Sequence, residues 1–162
     1  LHGEGHSFPT RRSSDLVMET VKDILERKGH AVWSVRPDDT VTHALELLAT
    51  ANVGALMVVS DDGALVGVYS ERDFAREAVT CGAEIFGKPV SELMSTSVHT
   101  IPDTLPIDAC MALMTSERLR HLPVLRDGRL MGVVSIGDVV KVAVEERDLE
   151  IEQLEHYISS SL

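Results

Sequence analysis

Gly67-Val68-Tyr69-Ser70-Glu71-Arg72-Asp73 and Gly132-Val133-Val134-Ser135-Ile136-Gly137-Asp138 place a hydroxyl and a carboxylate at the same spacing twice in one chain. Each copy follows an Asp-Gly pair (Asp62-Gly63; Asp127-Gly128) and an apolar run, so each Ser falls where a strand gives way to a helix. Ser-x-x-Asp at a helix start has a structural use. The Ser oxygen accepts from an amide of the first turn while the Asp reaches back to the cap amide, worth about 1 kcal/mol per helix. It also has a chemical use. The amides and dipole of a helix N-terminus attract phosphate, and a carboxylate one turn in can accept from the hydroxyls of a ribose. Two such pairs in equivalent settings suit a small-molecule receptor with two related half-sites.

The elements around these pairs are also written twice. Residues 37–78 lie on 102–143 without a gap, matching Pro37 with Pro102, Ala44 with Ala109, Leu48 with Leu113 and Val59 with Val124, and the correspondence extends through both Gly-x-x-Ser-x-x-Asp motifs. Val41, Ala44, Leu45, Leu48 and Ala51 form a helical stripe, with Ala109, Ala112, Leu113 and Met114 as its expected counterpart. Apolar strands, 55–59 and 122–125, then enter hairpins at the Asp-Gly turns. Short amphipathic lead-ins, 21–25 and 90–94, precede the two copies. The expected fold is α+β: two β-α-β-β-α repeats related by a pseudo-twofold, with small sheets packed on helices. The expected division is 17–80 for the first repeat, 81–89 for a linker, 90–145 for the second repeat and 146–162 for a helical extension. Residues 1–16 resemble translated sequencing adapter and are set aside, with native sequence expected from near Met18.

Bulk composition narrows the function. The 162 residues are 44% hydrophobic and only 4% aromatic, so the core must be aliphatic. A net charge of −11 argues against a surface that neutralises nucleic-acid phosphates, while leaving room for a local basic pocket. Cys81 and Cys110 have no zinc spacing, and the scattered His30, His43, His99 and His156 form no ligand set, so no metal is expected. Two unpaired thiols, and the lack of a membrane-length apolar run or basic leader, point to a reduced, cytoplasmic protein. No nucleophile–base set, paired catalytic carboxylates or Walker loop can be assembled, so the chain is not expected to be an enzyme.

Taken in order, Pro-Asp, an apolar helix, Gly54-Ala55-Leu56-Met57-Val58-Val59 or His121-Leu122-Pro123-Val124, Asp-Gly and Ser-x-x-Asp resemble a tandem pair of CBS (cystathionine β-synthase) domains of the stand-alone kind, over about residues 20–145. That resemblance implies a non-catalytic regulatory module. Its regulatory ligand would be an adenine nucleotide (AMP, ADP or ATP; less often S-adenosylmethionine or NAD), with no cofactor required. It also implies a homodimer and a regulated protein partner, with no membrane or nucleic-acid role. Carried onto this chain, a first cleft takes Ser70, Arg72 and Asp73 with Val98, Leu119, Arg120, His121 and Pro123. A second takes Ser135, Gly137 and Asp138 with Val32, Gly54, Ala55 and Met57. The Asp residues would hold ribose, the Ser residues phosphate, and the apolar positions adenine.

The two clefts are unlike. Arg72, Arg120 and His121, with Arg76 one turn beyond Asp73, equip the first for phosphate, whereas the second offers only Lys141 as a cation. Tighter anion binding is therefore expected at the first. Trp33 is expected in the core, with stacking on a base in the second cleft as the other reading. The rivals to nucleotide sensing are a ligand-independent interaction protein, in which Ser-x-x-Asp only caps helices, and a regulatory fragment of a larger enzyme.

Overall fold

The computed structural model describes residues 19–160, so the adapter-like 1–16 lies outside the described residues. The elements run α1 (Val21–Lys28), β1 (Ser34–Val35), α2 (Val41–Ala51), β2 (Ala55–Val59), β3 (Leu65–Ser70), α3 (Glu71–Cys81), β4 (Ile101–Pro102), α4 (Ile107–Ser116), β5 (His121–Arg126), β6 (Arg129–Ser135) and α5 (Ile136–Ser160). Two three-stranded sheets result, ordered β1-β2-β3 and β4-β5-β6. In each the short first strand pairs parallel to the second, and the second and third form an antiparallel hairpin. The mixed α+β duplication follows the expected plan.

The copies do not superpose without a gap. Ala55 pairs with Ser70, and His121 with Ser135, so Ala55 corresponds to His121 and every position ahead of the hairpin turn slips by one residue. The cause is the turn. In the second hairpin Arg126 pairs with Arg129 across Asp127-Gly128, both at positive φ (51° and 75°), a tight turn whose twist matches its strands. In the first, the amide of Ser60 donates to Ala64 O at 2.9 Å, enclosing Asp61-Asp62-Gly63 and adding a residue. One residue turns a helix by about 100°, so the predicted stripe of α4 is corrected. Ile107, Cys110 and Met114 are buried, matching Val41, Ala44 and Leu48, while Ala109 and Ala112 are exposed.

The lead-ins are exchanged between the halves. Val21, Ile24 and Leu25 of α1 are buried with Ile101, Cys110, Leu122 and Val134 of the second half. The amides of Val21 and Lys22 donate to Leu105 O and Asp103 O, both at 2.9 Å. Ile85 and Val90 from the connecting segment, with Leu93 and Met94 partly buried, complete the core of the first half around Val41, Leu56 and Tyr69. This packing explains the glycine that opens each repeated motif. A Cβ on Gly132 would lie 2.7 Å from Leu25 Cδ2, and one on Gly67 2.6 Å from Met94 Sδ. Below about 3 Å something must shift, so these glycines let the exchanged lead-ins reach the sheets.

Two outcomes test this packing. Leu25→Ala should lower unfolding free energy by about 2–5 kcal/mol. Because Leu25 belongs to the second core, the loss should appear in denaturant titration as one weakened transition, not as fraying of an N-terminal helix. Tyr69 is fully buried, its hydroxyl has no hydrogen-bond partner among the described residues, and burial, reinforced by Asp73 and Glu77, pushes its pKa up to about 12. Removing an unsatisfied buried hydroxyl should stabilise, so Tyr69→Phe is expected to gain about 1 kcal/mol in the same titration.

Candidate ligand cleft

Both Ser-x-x-Asp pairs form caps. Ser70 Oγ accepts from the Asp73 amide at 3.2 Å, and Asp73 Oδ2 accepts from the Ser70 amide and hydroxyl, both at 2.9 Å. Ser135 Oγ accepts from the Asp138 amide at 3.2 Å, and Asp138 Oδ2 accepts from the Ser135 amide at 2.8 Å. The next amide is also used in each copy: Glu71 N–H donates to Gly54 O at 3.1 Å and Ile136 N–H to Arg120 O at 2.9 Å. Each carboxylate is thus oriented by its own helix, and the start of each second strand is tied to that helix.

A cavity of about 260 Å³ opens beside the first pair. Every residue expected in the first cleft lines it: Ser70, Arg72 and Asp73 from one half, and Val98, Leu119, Arg120, His121 and Pro123 from the other. Arg76 lines it too. Arg118, Ser95, Ser97 and His99 also face it and were missed by the sequence reading. Arg118 occupies the left-handed region at φ 53°, as its counterpart Asn52 does at φ 54°, two residues after α4 ends at Ser116.

Gly54 and Ala55, expected in the second cleft, line this first cavity. The starts of β2 and β5 meet near the pseudo-twofold, where a Cβ on Gly54 would lie 3.3 Å from the His121 ring. Met57, also expected in the second cleft, is 1% exposed and belongs to the interior of its sheet. Val32 is half-buried, and Trp33, expected in the core, is 47% exposed just ahead of the edge strand β1. Gly137 is exposed, at the start of α5.

The electrostatics of the pairs differ, though not as the sequence suggested. Lys28, not Lys141, is the cation at Asp138: its Nζ donates to Asp138 Oδ2 at 2.7 Å and to Val133 O at 2.9 Å. Burial tends to raise the Asp138 pKa, but the Lys28 ammonium and the Ser135 amide outweigh it, leaving the carboxyl below its ordinary value. Among the described residues Asp73 makes no ion pair, and neither do Arg72, Arg76, Arg118 or Arg120. A chain of net charge −11 therefore gathers arginines without carboxylate partners around one cavity. His121 joins the two environments. Burial first, then Lys28 and Arg120, lower its pKa against the opposing pull of Asp138 and Glu71.

An unfolded chain takes up the His121 proton near the ordinary value of 6.5, whereas the folded chain takes it up only at lower pH. The stability tied to the neutral ring is thus present above pH ~6.5 and is lost as pH falls through the folded pKa. Histidine NMR titration should place His121 below 6.5, and His121→Gln should flatten the acid side of the stability profile.

Comparisons with known proteins agree with this architecture. The CBS domain family model matches residues 21–80 and 90–145. The chain is 36% identical over 149 residues to the CBS domain-containing protein CBSX3, mitochondrial, of Arabidopsis thaliana, covering 86% of this chain and 71% of the relative. Among solved structures, the CBS domain NE2398 is 43% identical with a TM-score of 0.75, covering 78% of this chain and 98% of its own. CBSX2, solved in complex with AMP, is 31% identical with a TM-score of 0.65, covering 79% and 98%. With the same unit matched twice along its length, this chain belongs to the CBS domain family as a tandem pair.

Proposed function

We propose that the chain is a non-catalytic sensor that binds an adenine nucleotide in the Asp73 cavity and passes its occupancy to a protein partner. The observation that carries this reading is the set of arginines without carboxylate partners among the described residues, Arg72, Arg76, Arg118 and Arg120, around a carboxylate held ready by its own cap. The oxygen of Asp73 not used by the cap would accept from ribose hydroxyls, while the arginines would neutralise phosphate. Val98, Leu119 and Pro123, with Ala55 opposite, would enclose the base. The Ser70 hydroxyl already donates to Asp73, so its contribution is to fix the carboxylate before any contact with phosphate. The AMP bound by the relative CBSX2 supports this ligand class.

Regulation requires that the ligand favour one arrangement of the two halves over another, and a cavity lined from both halves supplies that differential contact. Homodimerisation fits the exposed face of α5, where Ile136, Val140, Val144, Ile151 and Leu154 recur at helical spacing. The free thiols Cys81 and Cys110 suit a reducing compartment such as the cytoplasm. Among the described residues, no helix is long and apolar enough to cross a membrane. The completed caps favour one second reading, a ligand-independent interaction protein in which Ser-x-x-Asp serves only the helices.

Thermal unfolding with and without AMP, ADP and ATP separates the readings. Ligand at ~100 times its Kd should add about 2.7 kcal/mol of stability, and the caps-only reading gains if millimolar nucleotide produces no shift. Asp73→Asn should weaken AMP at least ~10-fold by removing a charged acceptor. Arg120→Ala should weaken AMP more than adenosine, because only AMP presents phosphate. Equal losses for both ligands would remove Arg120 from the phosphate role.

A further inference from the structure

The second Ser-x-x-Asp pair already holds a donor. Lys28 ends α1, and Gly29 turns the chain away at φ 96° with its amide on Leu25 O at 2.8 Å. The helix behind it is fixed by Val21, Ile24 and Leu25 in the second core. Beyond it, His30 Nδ1 lies 2.9 Å from Met131 O. The segment carrying Lys28 is therefore fastened on both sides, and its ammonium bridges Asp138 Oδ2 and Val133 O. The first half is built differently at the matching place. There Val68, the counterpart of Val133, exchanges backbone bonds with Ser95 at 3.0 and 2.9 Å, and among the described residues no ammonium reaches Asp73.

We propose that Lys28 closes the second cleft to ribose, so that the chain takes a single nucleotide, in the Asp73 cavity. This rests on the reading of that cavity as a nucleotide site. Lys28 shares Oδ2 with the cap, which leaves a ribose the other oxygen of a carboxylate whose charge an ammonium at 2.7 Å already neutralises, and an acceptor so neutralised loses much of its charge-assisted strength. At Asp73, among the described residues, no cation makes that bond. The duplicated motif thus serves binding in one half and internal bonding in the other, with Lys28 as the specificity-determining residue. The low Asp138 pKa, which burial alone would raise, agrees with a carboxylate already committed to a cation.

Calorimetric titration with AMP tests the assignment. The wild-type chain should bind about one AMP, lost in Asp73→Ala, whereas Lys28→Met should bind about two because the Asp138 carboxylate is no longer neutralised. Lys28→Met/Asp138→Ala should return to about one, and Lys28→Arg, which keeps the charge, should remain at about one. Circular dichroism confirms folding, with Lys28→Ala as the second variant should the methionine fail to pack. Two AMP on the wild-type chain, or one on a folded Lys28→Met, overturns the inference while leaving the Asp73 site intact. No AMP on wild type but one on Lys28→Met overturns the Asp73 reading and upholds the role of Lys28. No AMP on either overturns both.

Discussion

The exchange of lead-ins between halves is the constraint from which the rest of the architecture follows. Val21, Ile24 and Leu25 leave the first repeat to fill the core under β5 and β6, while Ile85 and Val90 fill the core under β2 and β3. Burying three such side chains is worth on the order of 5 kcal/mol, as much as the whole stability of many small domains. Neither half has a complete interior without the segment that precedes the other. The halves are therefore held face to face, with the starts of β2 and β5 meeting where Gly54 lies against the His121 ring. The cavity lies at this junction, which is why its wall alternates between the two halves.

Capping and recognition are not competing uses of Ser-x-x-Asp. In both halves the cap forms and uses one carboxylate oxygen, leaving its geometry set by the helix. What distinguishes the halves is what surrounds that carboxylate. Around Asp73 there are arginines that, among the described residues, make no ion pair; at Asp138 there is one lysine at bonding distance. Identical local caps thus acquire different meaning, at Asp138 from a lysine 110 positions away.

This division also separates what was legible in the sequence from what was not. The α+β duplication and the hairpins were legible because periodicity and Asp-Gly turns are local signals, whereas the first-cleft residues came from the CBS resemblance and not from spacing. The slip of one residue was hidden because chance identities such as Ala44 with Ala109 favoured a gapless match, while the turn that causes the slip differs by a single residue. Lys28 was invisible beside Asp138 because only the exchanged lead-in brings them together. Gly54 and Ala55 line the first cavity as well because, near a pseudo-twofold, a strand start borders both clefts, which sequence order does not reveal. Trp33 was misread because an apolar residue beside an edge strand can be left uncovered.

The crossed lead-ins have a consequence for descent. A gene encoding half this chain would yield a polypeptide with its own lead-in docked nowhere and a hole where its neighbour's belongs. Two copies would cure both defects at once, each lending its lead-in to the other across a true twofold. An ancestor of that kind would have been an obligate pair with two identical pockets. Fusing the two copies would have freed each pocket to mutate alone, allowing one to keep its arginines while the other acquired a lysine.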